Sequence, residues 1–340
     1  MNQIQRPIIC VKIRIAVLSL ALLSSGTVSR LVYAQPVPVQ QFNNEQQRRQ
    51  FQEPLVGITT STNAPELYPG ENEDVGPQAI LKLNRSRTLF DMSVDTQFMY
   101  TDNNRLTDDN KIDTALAINT VQFAVAPTAY ALGPGEFAPS IGFRSQWYNY
   151  GLGAGESEDV LDFNAQTVFA LMQYQYQQRW VFGGGLDYTR LLDQQKYNEF
   201  YTEITPHLFV QRSFPIRDNL AFSASWQGMY HFTTVDPLPK SDVNDRVDNT
   251  LGLVLSYQPI EKLVLQPFYR FQYTYYPDTA FNTDRSDYFN IVGAAVSYYF
   301  TPRLVARIFA TGTFRESDDS NISSYQKFDT GIGAFFAVNF

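Results

Sequence analysis

Residues 90–100 read FDMSVDTQFMY, and along this stretch the side chains alternate between two kinds. Apolar or aromatic side chains occupy the even positions apart from Thr96, and polar side chains occupy the odd positions up to Gln97. A period of two places the two kinds on opposite faces of a β-strand. At about 3.3 Å per residue, a strand of this length tilted by about 40° crosses a hydrocarbon layer. The stretch therefore predicts a membrane strand with one apolar and one polar face.

The alternation recurs from residue 87 to the end of the chain. It predicts an all-β fold, a transmembrane antiparallel up-and-down β-barrel of about twelve strands. Ten or fourteen strands remain as alternatives, because the second and tenth segments have two faces of similar polarity. The predicted strands are 87–101, 114–129, 136–150, 160–176, 179–191, 199–213, 218–233, 246–258, 262–276, 287–300, 303–315 and 326–340.

The links between these segments alternate in length, which is an independent indication of a barrel. Links that follow odd-numbered segments are long and polar, as at 102–113 and 235–245. Links that follow even-numbered segments are short, as at 177–178 and 301–302. Outer-membrane barrels have tight periplasmic turns and longer external loops, whereas a soluble β-sandwich has no reason to sort its loops in this way.

Residues 1–34 are organised like a secretory signal peptide. Basic residues precede an apolar run over 15–23, and small residues end at Ala34. The run is too short to span a bilayer as a helix. Cleavage after Ala34 removes Cys10, the single cysteine, so we expect the exported chain to have no disulfide and no cysteine metal ligand.

The segment that follows, residues 35–85, is rich in Gln and Pro and has few side chains to bury. This composition predicts a disordered periplasmic tail. The alternative is a partial plug, in which residues 75–83 enter the barrel. The predicted organisation is a signal peptide at 1–34, a tail or partial plug at 35–85, and a transmembrane β-barrel at 86–340.

The overall composition excludes two classes of protein. The chain has 26 Lys and Arg against 34 Asp and Glu, a net charge of −8, so it lacks the basic surface that nucleic-acid binding requires. Beyond the N-terminus, no apolar stretch reaches the roughly 18 residues that a membrane helix needs. A helical membrane bundle is therefore excluded, while a barrel with alternating strands is not.

The last strand ends in alternating hydrophobic residues and an aromatic terminus, with Phe336, Val338 and Phe340 on one face. In this feature, together with the signal peptide and the strand pattern, residues 87–340 resemble the bacterial outer-membrane β-barrel superfamily. The resemblance implies that Phe336, Val338 and Phe340 form the signal that the barrel-assembly machinery recognises. It is a resemblance of architecture, and no single channel or enzyme family is matched.

Aromatic residues on the predicted outward faces fall near two rims, as interfacial aromatic belts require. One set lies near the outer rim, and it consists of Tyr100, Tyr188, Tyr230, Tyr275 and Tyr288. The other set lies near the periplasmic rim, and it consists of Phe90, Phe137, Trp180, Phe300 and Phe340.

The predicted inward faces carry the candidate functional residues, because charged side chains inside a pore set its selectivity. At mid-depth the candidates for a constriction are Asp95, Arg144, His207, Gln227, Arg270 and Arg307. Nearer the outer mouth the charged candidates are Asp162, Asp187, Glu203, Asp248, Arg315 and Asp329. Two interpretations stay open: these residues line an open pore, or they pair across the interior and fill it.

Motifs for catalysis are absent: the sequence has no HExxH, no phosphate-binding loop and no GxSxG. The two histidines, His207 and His231, are both predicted to face inward. A lipase or protease hypothesis depends on His231 alone, because it lies near the outer rim. We expect no enzymatic activity, no cofactor and no metal.

The predicted external loops are acidic, with Asp109, Asp245 and Asp287 among their residues. Carboxylate clusters can hold divalent cations that bridge to lipopolysaccharide phosphates. Solvation of surface loops is the simpler interpretation.

These features predict a porin-like channel in the outer membrane of a diderm bacterium, with its N-terminal tail in the periplasm and passive diffusion of small hydrophilic solutes as its function. The expected partners are outer-membrane lipids and lipopolysaccharide, the barrel-assembly machinery and the solutes, with no nucleic acid. The alternative is a structural or interaction barrel with a closed lumen.

Overall fold

The structure is a computed structural model, and it describes residues 38–43, 89–127, 129–152, 161–177, 179–235, 244–277, 284–320 and 322–339. The predicted signal peptide and most of the segment 35–85 lie outside these residues, as does Phe340 of the predicted assembly signal. Among the described residues, no helix is long and apolar enough to cross a membrane.

The chain forms an antiparallel sheet that closes on itself. Neighbouring strands in the sequence pair with each other, except that β2 pairs with β4 and not with β3, and β1 pairs with β13. The short β3 pairs with the start of β4, beyond the part that pairs with β2. The strands are β1 (Phe90–Thr101), β2 (Thr114–Val125), β3 (Tyr130–Leu132), β4 (Gly135–Tyr150), β5 (Phe163–Tyr176), β6 (Trp180–Asp193), β7 (Glu199–Arg217), β8 (Leu220–Val235), β9 (Arg246–Ile260), β10 (Leu263–Tyr276), β11 (Arg285–Thr301), β12 (Leu304–Ser317) and β13 (Tyr325–Asn339).

Twelve of these strands form the barrel, which confirms the predicted fold class and strand number. The predicted second strand, 114–129, is too long, because β2 ends at Val125. The residues that follow form β3, which pairs with the start of β4. Three residues are too few to show an alternation, so the sequence pattern did not separate β3 from β2.

The two ends of the barrel differ in their links. The long-loop end carries the 102–113 loop and the links that precede β5, β7, β9, β11 and β13. The short-turn end carries two-residue turns, such as Pro302-Arg303 between β11 and β12, and the longer β2–β4 link that contains β3. The link between β6 and β7, at 194–198, is the shortest at the long-loop end.

The outward face of the barrel is apolar. Leu208, Phe98 and Ile308 expose 63%, 52% and 60% of their surface, although they lie in the middle of strands. A continuous belt of exposed large hydrophobic side chains around a closed sheet fits a hydrocarbon environment, in which closure also pairs every strand edge. Trp180 and Phe300 lie on this face at the short-turn end, and Tyr100 and Tyr288 lie on it at the long-loop end.

A six-residue helix, α1, spans residues 38–43 and starts at Pro38, a residue that is favoured in the first turn. Val39 and Phe42 are three residues apart and share one helix face, and both are buried. The sequence predicts a tail or a partial plug for residues 35–85, and the six described residues of this segment pack against the barrel. The stretch proposed as a plug, 75–83, lies outside the described residues.

Candidate functional site: the lumen of the barrel

The inward faces of the strands carry eleven of the twelve lumen residues that the sequence predicts. Each lies on the same face of its strand as the neighbouring buried residues; Arg144, for example, lies on the same face as Gln146 and Tyr148. The exception is Asp162, which precedes β5 at the long-loop end and accepts a hydrogen bond from the backbone N–H of Tyr150 at 2.6 Å. Asp162 therefore orders a loop and does not line the lumen.

Two mid-depth candidates form an ion pair across β13. Asp95 on β1 lies 3.6 Å from Nη2 of Arg307 on β12. Gln97 also donates a hydrogen bond to the Asp95 carboxylate. Gly333, on the strand between them, is the cross-strand partner of both Gln97 and Arg307, so no side chain blocks the contact.

A second ionic cluster lies on β7, β8 and β9 near the long-loop end. His231 lies between two carboxylates, with Nδ1 at 3.2 Å from Glu203 and Nε2 at 3.2 Å from Asp248. Arg246 contacts the same carboxylates, at 3.8 Å from Glu203 and 3.4 Å from Asp248. Tyr201 donates a hydrogen bond to Glu203 at 2.7 Å. All five side chains are buried, so the cluster satisfies its charges within the protein.

A third cluster centres on Asp287, which has no exposed surface. Its carboxylate lies 2.7 Å from Nη2 of Arg315 and 3.3 Å from Nε of Arg285. The Arg285 guanidinium also lies 3.7 Å from the centre of the Tyr276 ring. The sequence places Asp287 in an acidic external loop. That interpretation is wrong, because β11 begins at Arg285 and turns Asp287 into the lumen.

Arg270 is the most deeply buried of the mid-depth candidates, at 0% exposure. Its Nη2 donates hydrogen bonds to Oγ1 of Thr250 at 3.1 Å and to Oε1 of Gln272 at 2.7 Å. Gln272 in turn donates to Thr274 at 2.8 Å. Side chains on β9 and β10 thus form a polar ladder that runs along the wall toward the long-loop end.

The 102–113 loop folds inward and fills part of the long-loop half. Asn103 is fully buried and donates hydrogen bonds to the carbonyls of Thr107 and Gln326 at 2.7 and 2.9 Å. Leu106 belongs to a buried apolar cluster with inward residues of β10, β11 and β13, which include Phe268. This loop therefore occupies space that a free external loop would leave open.

Helix α1 also occupies the long-loop half of the lumen. Gln41 donates a hydrogen bond to the carbonyl of Asn104 at 2.8 Å and accepts one from Nζ of Lys327 at 2.9 Å. The edge of the Phe42 ring meets Tyr148, with ring centroids 6.4 Å apart. These six residues contact β4, β13 and the 102–113 loop inside the barrel, and the assignment of 35–85 as a tail or a partial plug stays a prediction.

The other half of the lumen, on β4 to β8 toward the short-turn end, is different. Its inward side chains are half-buried and mostly uncharged, and they include Gln173, Gln175, Gln211, Ser213, Ser223 and Ser225. Arg144, Asp187, His207 and Gln227 mark its inner limit at mid-depth and are half-buried as well. Asp187 lies within electrostatic range of Arg144 and His207. We call this surface the wet wall.

Aromatic rings lie flat along the lumen wall against glycines of the neighbouring strand. Each ring and its glycine are direct cross-strand partners, and the pairs are Phe169 with Gly142, Phe209 with Gly183, Phe268 with Gly293, and Phe309 with Gly331. A Cβ built on Gly293 comes 2.6 Å from Cζ of Phe268, and one on Gly331 comes 2.6 Å from Cζ of Phe309. The missing side chains let the rings lie along the wall and not across the lumen.

The sequence prediction missed several charged lumen residues, among them Arg246, Arg285, Asp287 and Lys327. A signal existed for two of them. Arg246 shares the parity of Asp248, and Lys327 shares that of Asp329, which it contacts at 3.2 Å. Arg285 and Asp287 depend on where β11 begins, which the sequence does not mark.

The hydrolase hypothesis has little support in the geometry of His231. Both of its ring nitrogens contact carboxylates, and the hydroxyl within reach is that of Thr205, at 3.2 Å from Nδ1. Within the described ranges, no group of three or more His, Cys, Asp or Glu side chains is arranged to hold a metal ion.

Comparison with known proteins identifies the fold. No protein-family model matches the chain, and no curated protein matches it in sequence. An outer membrane channel from Pseudomonas putida F1 aligns with 80% of this chain and 100% of its own, with a TM-score of 0.50 and 12% identity. The KdgM porin, solved with disordered oligogalacturonate, and the NanC porin align with TM-scores of 0.37 and 0.39 at 11% identity, each over 72% of this chain and 98% of its own. The likeness is one of fold: the chain has the closed antiparallel β-barrel fold of this outer membrane channel.

Proposed function

We propose that this protein is a porin-like channel of the outer membrane, through which small hydrophilic solutes diffuse passively. The wet wall carries the proposal, because its inward side chains are half-buried and mostly uncharged along the short-turn half of five strands, with Gln and Ser side chains on β5, β7 and β8. In outer-membrane barrels the short-turn end faces the periplasm. The wet wall would then form a vestibule that opens to the periplasm.

Solutes would meet the first charged groups at the inner limit of the wet wall. Arg144 and His207 lie there with Asp187 between them, and Gln227 lies on the neighbouring β8. Charged rings of this kind set ion and solute selectivity. Arg270 and Arg307, buried in polar contacts, hold the opposite wall in place. A barrel of twelve strands is narrower than the 16-stranded porins, so only small solutes fit.

A second candidate function, a structural barrel with a closed lumen, is favoured by a specific observation. Val39 and Phe42 of α1, together with Leu106 of the 102–113 loop, are at most 5% exposed inside the long-loop half. In this conformation these apolar side chains occupy part of the lumen on the long-loop side of the wet wall. We therefore expect conduction to increase when α1, the loop or both leave the lumen.

Planar-bilayer recording and liposome swelling distinguish the two functions. We compare the mature chain that starts at Gln35 with a variant that lacks residues 35–43, after confirming by heat-modifiable gel migration that both are folded. The channel predicts conductance and sugar-dependent swelling for the mature chain, and a several-fold increase for the deletion. If both proteins are folded but neither conducts, the channel is contradicted and the closed barrel stands.

A further inference from the structure

The outward face of the barrel carries almost no charge. Away from the last two residues at either end of each described strand, the charged side chains on this face are Arg190 on β6 and Arg212 on β7. A charge that faces lipid is destabilising, most strongly at the membrane midplane and less near the headgroups. Each of these arginines therefore needs a partner.

Arg190 has its partner within the protein. Its Nε and Nη2 donate hydrogen bonds to Oε1 of Gln166 at 2.9 and 2.7 Å. Gln166 is the cross-strand partner of Arg190 on β5, so the pair is fixed by the register of the sheet.

Arg212 is held differently. Its guanidinium carbon lies 4.8 Å from the centre of the Trp180 ring and 4.5 Å from that of Phe214. Its Nε is buried and has no hydrogen-bond partner among the described residues. Among the same residues, no carboxylate forms an ion pair with Arg212. Two aromatic rings hold the cation by cation–π attraction, yet they accept none of its directed hydrogen bonds.

The depth of Arg212 indicates what completes its contacts. Trp180 is both the cross-strand partner of Arg212 and the first residue of β6, so the guanidinium lies at the level of the short-turn rim. Arg179 is exposed in the adjoining turn, where its carbonyl accepts the N–H of Ser213 at 2.9 Å. Phospholipid phosphates lie at this level of a bilayer, and a guanidinium binds phosphate through two parallel hydrogen bonds.

We propose that Arg212, bracketed by Trp180 and Phe214, binds the phosphate of a phospholipid in the leaflet at the short-turn end of the barrel. Arg212 donates hydrogen bonds to the phosphate oxygens, and the two rings hold the guanidinium plane and contact the glycerol and upper acyl chain. Arg179 adds a second positive charge. The site requires only that the barrel is embedded in a bilayer, and it does not depend on channel activity.

Native mass spectrometry of the full mature chain in detergent tests the site. Dioleoyl phosphatidylglycerol is the probe, dioleoylglycerol supplies the same acyl chains without phosphate, and inorganic phosphate supplies the anion without the lipid. We expect Arg212→Gln to weaken phosphatidylglycerol binding about tenfold, the size of a lost hydrogen bond to a charged group. Arg190→Gln is the matched control and leaves that binding unchanged, and Trp180→Leu has an intermediate effect.

Several outcomes overturn the proposal. Equal losses in Arg212→Gln and Arg190→Gln indicate a general effect of charge, and equal binding of dioleoylglycerol indicates an acyl-chain site. Inorganic phosphate that binds as tightly as the lipid indicates a free-anion site. If Arg212→Gln does not fold, Arg212→Lys gives the measurement, because it keeps the charge and removes the planar fork; unchanged binding in that variant contradicts bidentate recognition.

Discussion

The two halves of the lumen are built from the same alternating strands and yet have opposite character. In the long-loop half, charges are buried in clusters around Asp287 and His231, and apolar side chains from α1 and the 102–113 loop pack beside them. On the wet wall, inward side chains are half-buried, mostly uncharged, and separated by glycines.

The difference shows that polarity alone does not make a pore. Both halves carry polar inward side chains, but buried charges must find partners, and their pairing fills the space that they line. Neutral Gln and Ser side chains can exchange water for solute at little cost. Under the proposed channel function, the half with fewer charges is therefore the better passage, and the half with more charges is the better support.

Removing the carboxylate of Asp287 is expected to give the largest difference in stability between the two halves. Asp287→Ala leaves Arg285 and Arg315 buried without their shared partner, which costs about 3–5 kcal/mol of the free energy of unfolding. Gln227→Ala, at the limit of the wet wall, is expected to cost less than about 0.5 kcal/mol. Urea unfolding in detergent micelles, followed by tryptophan fluorescence, measures both. Equal losses in the two variants would show that the two halves are equally packed.

Adding a methyl group to a wall glycine tests whether the two halves differ in free space. In Gly293→Ala, the new Cβ lies 2.6 Å from Phe268, which is 4% exposed and cannot move away, so we expect a loss of about 1–3 kcal/mol. In Gly183→Ala, the displaced ring of Phe209 is half-buried and can swing into the lumen. We expect that variant to lose less stability and to conduct less. The opposite order in the same unfolding assay would contradict the difference in free space.

The smallest effect is expected where α1 meets the long-loop half. Gln41→Ala removes the hydrogen bonds to Asn104 and Lys327. It should weaken the binding of α1 to the barrel by about 0.5–1.5 kcal/mol, with little change in the free energy of unfolding of the barrel. Single-channel recording should show more frequent opening. Asn43→Ala, at the end of the same helix, serves as control. No change in opening would mean that α1 does not limit conduction.

The barrel could be predicted from the sequence because the alternation within each strand shows which side chains share a face. Alternation around Asp95, Arg270 and Arg307 is a local property, and it gave their inward orientation correctly. The contact of Asp95 with Arg307 is not local, since it depends on closure between the first and last strands. The first residue of β11 could not be predicted either, because Ser286 breaks no pattern and the loop before it is polar. Helix α1 is too short for its two apolar residues to show a helical period.

The contact of Asp95 with Arg307 also bears on how the barrel is assembled. The two residues lie on the first strand and the penultimate long strand, on either side of Gly333 in the closing strand. A slip of one residue at the seam would turn the inward set of a strand toward lipid and separate the carboxylate from the guanidinium. The pair can therefore form only when the final hairpin has docked in register, so its presence marks a correctly closed seam.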